Sequence, residues 1–324
     1  MKILVIGYGS IAKRHVKNLL KITDFEIIVY TNQTSQKKKN CTFYSSINDC
    51  LDKKPNAAII ANVTSEHKKI IQLLIKNKIP LFIEKPLSNS YLGIDELVKD
   101  IKINKIPTLM GCQFRFHTCI KKIKELLDEN KIGKVLSVKV ECGSYLPNWH
   151  KNEDYRLGYA GRKDLGGGVV LTCIHELDYL YWLFGDVEQV FSITGKFSNL
   201  EINADDLSVI LMKFKNKTIA EVHLDYFQKP EIRSCKIIGT NGTLYWDSLE
   251  NSVNYFDLSK NKWIKIIKVK NYDRNQMYVD ELKHFFSCID SKIETINPII
   301  QGAKTLKIAL GILKSSKLKK MVKI

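Results

Sequence analysis

The stretch KILVIGYGSIAKRH, residues 2–15, decides the fold of this chain. A run of aliphatic residues ends at Gly7, which is typical of a buried strand. Apolar residues then recur at Ile11, Val16 and Leu19 in a helical pattern. A strand that turns into a helix at a glycine predicts the first unit of an α/β fold.

Small residues lie where this turn would approach a dinucleotide. Gly7, Gly9 and Ala12 match the pattern GxGxxA, in which they allow the tight turn, the approach of a pyrophosphate and the packing of helix on strand. We therefore predict that the turn binds NAD or NADP; a glycine-rich turn with no ligand is the alternative. The predicted cofactor contacts here are Gly7, Tyr8, Gly9, Ser10 and Ile11.

A second short predicted strand ends at residues whose side chains can take part in catalysis. The stretch LFIEKPL, residues 81–87, is apolar until Glu84 and Lys85, and Pro86 must stop the strand because proline cannot donate to a sheet ladder. Lys85 is thus predicted at the carboxyl edge of a strand, where open α/β sheets bind ligands. A solvated lysine at a strand end is the alternative.

The strand and helix pattern predicts two domains. Repeated strand–helix units predict a doubly wound parallel sheet in a dinucleotide-binding domain over residues 1–118. Closely spaced strands, interrupted by one long helix at 169–184, predict an α+β domain with a large, mostly antiparallel sheet over 119–324. Terminal helices at 275–289 and 300–318 could pack back on the first domain.

The composition of the chain indicates which kinds of molecule it could bind. The 324 residues carry a net charge of +17, but the lysines are spread along the chain and no nucleic-acid-binding motif accompanies them. The charge favours anionic small molecules, with no nucleic acid and no membrane as partners. No apolar run is long enough to span a bilayer, so we expect a soluble, cytoplasmic protein. Eight scattered cysteines without a CxxC pair predict reduced thiols and no metal site.

Cofactor choice depends on the end of the second strand. NAD sites usually place an acid about twenty residues after the glycine turn. This chain has Tyr30, Thr31 and Asn32 there, with no acid before Asp49, which favours NADP. The lysines at 37–39 could meet a 2′-phosphate or form a solvated loop. After the strand that ends at residue 61, the predicted cofactor neighbours are Asn62, Thr64 and His67.

Taken in order, these motifs resemble the Gfo/Idh/MocA oxidoreductases, over essentially the full length. The likeness is strongest to members associated with bacterial surface-glycan and nonulosonic sugar biosynthesis. The motifs that carry it are GYGSIAKRH (7–15), Glu84-Lys85-Pro86, GCQFRF (111–116), GSYLPNW (143–149), Gly166-Gly167-Gly168 followed by His175 and Asp178, and WLFG (182–185).

The resemblance implies an N-terminal Rossmann domain and a C-terminal α/β domain that often builds homodimers or homotetramers. It also implies that Lys85 lies beside the nicotinamide and the substrate hydroxyl, that Glu84 and Gln113 adjoin the cofactor, and that His175 is the acid/base. The family usually has an aspartate three or four residues before this histidine, where the chain has Thr172 and Leu171. A threonine carries no charge to raise imidazole basicity, so the substitution brings full activity into question.

Substrate contacts are predicted in the segment from Tyr145 to Arg162. Its stacking rings and anion donors suit a sugar or sugar nucleotide, and an ordinary aromatic-rich loop is the alternative. On one continuous helix Thr172, His175 and Asp178 would share a face. Asp178 would then either orient the His175 ring for catalysis or only satisfy its hydrogen-bonding capacity as part of the structure. The predicted substrate residues are Arg115, Tyr145, Asn148, Trp149, His150, Tyr155, Arg156, Arg162, Thr172 and His175.

These observations predict an NAD(P)-dependent dehydrogenase or reductase acting on a secondary hydroxyl or ketone of a sugar, aminosugar or sugar nucleotide. Lys85, His175 and Thr172 are its predicted catalytic residues. The alternatives are a catalytically weakened dinucleotide-binding sensor or scaffold, and a lyase- or glycosidase-like enzyme that regenerates its cofactor in each cycle.

Overall fold

A computed structural model describes residues 1–33, 38–149 and 153–324. These residues form two compact units. The first comprises residues 1–113 and 274–306, and the second comprises 114–273 and 307–324.

The first unit is built on a six-stranded parallel sheet in the order β3-β2-β1-β4-β5-β6, which confirms the predicted doubly wound sheet. Its strands are β1 (Lys2–Ile6), β2 (Glu26–Tyr30), β3 (Cys41–Tyr44), β4 (Ala57–Ile60), β5 (Leu81–Glu84) and β6 (Thr108–Gly111). Its helices are α1 (Ser10–Ile22), α2 (Ile47–Leu51), α3 (His67–Lys76), α4 (Ile94–Ile103) and α8 (Gln276–Ser291).

A late helix completes the core of this unit. Strands β1, β2 and β4 are almost wholly buried, and α1 contributes Val16 and Leu19 to the same cluster. Leu282 and Phe285 of α8 join it, although they lie far along the chain. The burial of so many aliphatic and aromatic side chains stabilises the sheet whose carboxyl edge carries the predicted site.

The second unit contains a nine-stranded sheet in the order β14-β13-β12-β11-β7-β10-β9-β8-β15. Only β7 and β10 pair in parallel, so the predicted mostly antiparallel sheet is confirmed. Its strands are β7 (Val135–Gly143), β8 (Val187–Gly195), β9 (Leu207–Phe214), β10 (Ile219–Asp225), β11 (Ile232–Gly239), β12 (Gly242–Asp247), β13 (Ser252–Asp257), β14 (Lys262–Lys268) and β15 (Val322–Lys323).

One face of this sheet is covered by helices and the other is open. The helices are α5 (Thr118–Asp128), α6 (Val169–Thr172) and α7 (Ile174–Phe184), and the chain passes from the first unit to the second within α9 (Ile299–Leu318). Helix α5 packs on β12 and β13, and α6 packs on β9 and β10. On the open face, alternate side chains such as Ile193, Val209 and Leu211 remain about half exposed.

The prediction of one continuous helix over 169–184 is wrong, because the helix is interrupted at Cys173. Cys173 has φ −88° and ψ 30°, which ends α6 and begins α7. Thr172 therefore ends one helix while His175 lies in the first turn of the next, and the face that they were predicted to share is interrupted.

The eight cysteines all lie within the described residues and form no disulfide bond, and seven of them are buried. Across the described ranges, no helix combines the length and the apolar character that crossing a membrane requires.

Candidate functional site at the carboxyl edge of the parallel sheet

The turn between β1 and α1 requires glycine at its first position. Gly7 has φ +91°, and its amide donates to the Tyr30 carbonyl at 2.9 Å. A Cβ at this position would lie 2.9 Å from the Ala61 carbonyl oxygen and from the Cα of Asn62. Glycine thus allows the end of β1 to approach the end of β4 closely.

The second glycine faces open space. Gly9 is exposed, and a Cβ built on it would meet nothing within 4 Å. It precedes α1, whose first turn receives no side-chain cap, and Ser10 at the helix start is exposed. Uncapped amides and an unobstructed approach are what a pyrophosphate needs at a helix N-terminus, so the turn fits the predicted dinucleotide.

Some of the other residues predicted to contact the cofactor near this turn are buried, and others are exposed. Tyr8 is buried, with its ring edge-on to Phe43 at 5.0 Å, and Ile11 is half-buried. The Thr31 amide donates to the Tyr44 carbonyl at 2.9 Å, whereas Asn32 is exposed. Their predicted cofactor contacts stay predictions. Residue 37 of the lysine run lies outside the described residues.

Asn62 presents a polar atom that the described residues leave unsatisfied. Its Oδ1 is buried and accepts no hydrogen bond from them. Buried amide oxygens normally have a partner, so an orphan beside the Gly7 turn is a second observation that fits a bound nucleotide. Thr64 follows it, buried at the start of the single turn Thr64–Glu66.

His67 is held between two main-chain oxygens. Its Nδ1 lies 3.0 Å from the Pro86 carbonyl, and its Nε2 lies 3.1 Å from the Asn62 carbonyl. Burial lowers the pKa of the imidazole, and the two carbonyls act in the opposite direction. The ring therefore contacts protein at both nitrogens, and its predicted contact with the cofactor stays a prediction.

Lys85 follows β5, as predicted. It is half-buried, and the Lys85–Pro86 peptide bond is cis. Glu84 before it is buried, and its Oε1 lies 2.6 Å from Nε2 of His15. Because β1, β4, β5 and β6 are parallel neighbours, the residues that follow them share one edge of the sheet. The structure thereby brings together Gly7, Asn62, Glu84, Lys85 and Gln113.

Helix α8 supplies a residue that sequence reasoning missed. Gln113 is buried, and its Nε2 donates to the Tyr278 hydroxyl at 3.1 Å. Burial raises the pKa of Tyr278, while the charges of Arg14 and Lys85 lower it. The only available signal was the aromatic ring near the start of a C-terminal helix, which does not say which sheet the helix covers.

In the second unit, a glycine turn starts the segment that carries Thr172 and His175. Gly168 has φ +111°, and a side chain there would collide with the Asp205 carboxylate. The Val169 amide donates to the Asp205 carbonyl at 2.9 Å, and the Val170 amide donates to its carboxylate at 3.3 Å. Burial raises the pKa of Asp205. This close packing fixes where α6 begins.

Thr172 and His175 are both buried, with 4% and 6% of their surface exposed. Burial raises the pKa of Tyr226, and the neighbouring Thr172 hydroxyl acts in the opposite direction. The ring centroid of His175 lies 5.3 Å from that of Phe114. Their catalytic roles stay predictions.

Asp178 and Arg115 form a buried ion pair with each other. Arg115 is fully buried and donates from Nε and from a terminal nitrogen to the two Asp178 oxygens, both at 2.8 Å. Asp178 thus forms a bidentate ion pair with a guanidinium that is enclosed by protein. The predicted role of Asp178 toward His175 and the predicted substrate contact of Arg115 stay predictions. Sequence reasoning missed this pairing because the two residues lie on different elements.

A second buried ion pair lies next to His175 in the chain. Glu176 is fully buried, with Oε1 2.8 Å from Nε of Arg233, and the Arg233 guanidinium lies 4.4 Å above the Phe114 ring. Burial raises the pKa of Glu176, and Arg233 opposes the shift. Neither residue was predicted, because a single acid or base in an amphipathic pattern gives no signal of its partner.

The predicted substrate segment is divided between packed rings and surface ion pairs. The Trp149 indole donates to Ser144 at 2.9 Å, and Lys229 lies 3.4 Å above the Tyr145 ring. Asn148 is exposed, and the Tyr155 hydroxyl accepts from the Glu201 amide at 3.3 Å. Arg156 pairs with Asp154 and Glu201, and Arg162 pairs with Asp164. His150 lies outside the described residues.

Two family models match the two halves of this architecture. The model of an oxidoreductase family with an NAD-binding Rossmann fold matches residues 1–108, and the GFO/IDH/MocA C-terminal domain matches residues 120–245. The chain belongs to the GFO/IDH/MocA oxidoreductase family. Membership agrees with the open glycine turn and makes NAD or NADP the fitting cofactor.

Individual relatives in this family are distant. Myo-inositol 2-dehydrogenase of Thermotoga maritima is 24% identical over 90% of this chain and 89% of its own length. The 2,7-anhydro-N-acetylneuraminate hydratase of Escherichia coli is 27% identical over 65% of this chain, and the match spans 57% of the hydratase. A solved levoglucosan dehydrogenase in complex with NADH has a TM-score of 0.89 at 14% identity, with 100% of this chain and 99% of that one covered.

Proposed function

We propose that this oxidoreductase transfers hydride between a nicotinamide cofactor and a secondary hydroxyl or ketone of a sugar or sugar derivative. The observation that carries the proposal is the set of residues at one edge of the parallel sheet. The unobstructed Gly9, the unsatisfied Asn62 oxygen and Lys85 follow β1, β4 and β5, which are adjacent strands.

When bound, the nicotinamide supplies or accepts the hydride, and the protein must handle the proton. Lys85 is proposed to hold the substrate oxygen and to exchange its proton as the carbon is oxidised or reduced. His175 is proposed to pass that proton to solvent, since an imidazole titrates near neutral pH. A positioned acid/base contributes about 10²- to 10⁴-fold to such a step.

The names of the relatives support a polyhydroxylated substrate. They include an inositol dehydrogenase, a D-apiose dehydrogenase and a glucose-6-phosphate 3-dehydrogenase. The net charge of +17 favours a sugar that carries a phosphate or carboxylate. We extend the proposal to aminosugars, sugar nucleotides and acidic sugars of glycan biosynthesis.

A hydratase-type reaction is the second candidate. Two relatives, from Escherichia coli and Mediterraneibacter gnavus, are named 2,7-anhydro-N-acetylneuraminate hydratase. In a redox-assisted addition of water, the hydride removed at the start is returned at the end. The substrate then gains water while the cofactor shows no net reduction.

One screen separates the two candidates. Purified protein is tested for thermal stabilisation by NAD and by NADP, then incubated with neutral, phosphorylated and carboxylated sugars and a 2,7-anhydro sugar. Net nicotinamide reduction with a product two hydrogens lighter supports the dehydrogenase. A product one water heavier, with unchanged nicotinamide absorbance, supports the hydratase. Failure of both cofactors to stabilise the fold would contradict both.

We also propose that the protein acts in the cytoplasm as a homodimer or homotetramer, and the open face of the nine-stranded sheet supports the association of copies. Ile193 pairs with Val209 and the half-buried Phe191 pairs with Leu211, which forms an apolar strip across β8 and β9 in which Ile193, Val209 and Leu211 are exposed. Contiguous exposed apolar surface commonly marks an interaction site. Light scattering of the full chain gives the number of copies.

A further inference from the structure

Two buried imidazoles flank the main chain that carries Lys85. His15 belongs to α1, and His67 begins α3. Both are essentially inaccessible to solvent, with 0% and 1% of their surface exposed. Buried polar rings cost free energy unless they are hydrogen-bonded, so their partners show what they hold.

His15 reaches Lys85 through a carboxylate. Its Nε2 lies 2.6 Å from Oε1 of the buried Glu84, and the second oxygen of Glu84 accepts from the Lys85 amide at 3.3 Å. The His15 ring is fixed edge-on against Phe82 at 5.0 Å. This chain of contacts connects the helix of the dinucleotide turn to the Lys85 backbone.

His67 holds the other side of the same segment. Its Nδ1 contacts the Pro86 carbonyl, and its Nε2 contacts the Asn62 carbonyl. Asn62 in turn lies against Gly7, where even one added methyl group would collide with it. The residues after β1, β4 and β5 are therefore connected through one imidazole.

We propose that His15 and His67 are positioning residues for Lys85, and that they set its main chain relative to the dinucleotide turn. The inference rests on the proposed function of Lys85. A flexible lysine side chain reaches a substrate oxygen correctly only if its backbone is fixed, and a misplacement of about 1 Å can cost 10²-fold in rate. The apolar core already stabilises the sheet, and a buried polar pair such as His15–Glu84 usually stabilises a fold no more than well-packed apolar residues would.

Four variants test the proposal, each compared with the wild type by thermal unfolding. His15→Phe and His67→Phe keep a ring but remove its nitrogens. His15→Gln and His67→Asn are the matched controls, since their amides can replace Nε2 of His15 and Nδ1 of His67. We expect kcat/KM to fall about 10- to 100-fold in the Phe variants and to recover to within about threefold in the amide variants, with cofactor affinity changed less than turnover.

The Lys85→Met background separates positioning from general packing. Residues that act only through Lys85 should cause no further loss when Lys85 is already absent. A full additional loss in the double variants His15→Phe/Lys85→Met and His67→Phe/Lys85→Met would overturn the inference. Wild-type turnover in folded single Phe variants would do so as well.

This design also separates failure of the inference from failure of the proposed function. If Lys85→Met alone retains wild-type turnover, the proposed role of Lys85 fails. If Lys85→Met is impaired and the amide variants are as slow as the Phe variants, only the positioning role fails. Should a Phe variant not fold, the amide variant of that histidine decides the question, because a loss of turnover above threefold contradicts the proposal.

Discussion

At the residue scale, the structure shows a partner of Asp178 that its helical spacing from His175 does not reveal. Asp178 follows by three residues, which predicts contact on a regular helix. Arg115 takes both oxygens of Asp178 in a buried bidentate pair, the strongest geometry available to a carboxylate. Sequence spacing identifies neighbours on one helix, whereas Arg115 reaches Asp178 from another part of the chain.

The substitution at Thr172 gives a prediction at the same scale. Its hydroxyl is buried against Tyr226, so Thr172→Asp would place a charge where the surroundings accept a neutral group. We expect turnover to fall about tenfold, and the pH-profile limb of His175 to move to higher pH because an anion favours the imidazolium. Steady-state pH profiles check both effects.

Thr172→Asn is the control, because it has the shape of aspartate without the charge. Faster turnover in Thr172→Asp than in both the wild type and Thr172→Asn would contradict the prediction. It would instead identify the natural chain as a catalytically weakened member of the family.

At the element scale, strongly patterned strands and helices were predictable and weakly patterned ones were not. β1 and β5 are built on apolar runs, and both were located from the sequence. β3 is only partly buried, and β14 has a lysine at every third position and lies at a sheet edge, so neither carries a core-like signal. The break at Cys173 has no glycine or proline to announce it.

The turn between β1 and α1 allows a matched pair of variants. Gly7→Ala would strain a positive φ, and its Cβ would collide with the backbone of Ala61 and Asn62. We expect this variant to lower the free energy of unfolding by about 1–3 kcal/mol. Gly9→Ala meets open space at φ −74°, so the free energy of unfolding should change by less than about 0.5 kcal/mol.

Cofactor affinity distinguishes these two glycines further. If Gly9 admits a pyrophosphate, its Cβ should weaken NAD or NADP binding at least about tenfold while the fold is unaffected. Denaturant unfolding and cofactor titration by fluorescence measure the two quantities separately. Unchanged affinity in Gly9→Ala would argue against a dinucleotide at this turn.

At the scale of the whole molecule, the sequence predicted two kinds of sheet and allowed the terminal helices to pack back on the first domain, but it did not specify which contacts they would make there. Helix α8 belongs to the first unit although it follows the strands of the second. Its apolar stripe shows that it packs on something, but a stripe on Leu282 and Phe285 does not specify which core it joins. Tyr278, which α8 brings beside Gln113, could not be predicted for that reason.

The central claim is that Lys85 handles the proton in a nicotinamide-linked redox reaction. The most direct test is a single-turnover measurement of Lys85→Met with saturating cofactor and the sugar that gives the fastest nicotinamide absorbance change with the wild type. We predict a rate at least about 100-fold lower, with cofactor affinity within about threefold of wild type. An unchanged rate in the folded, cofactor-bound variant would contradict the account.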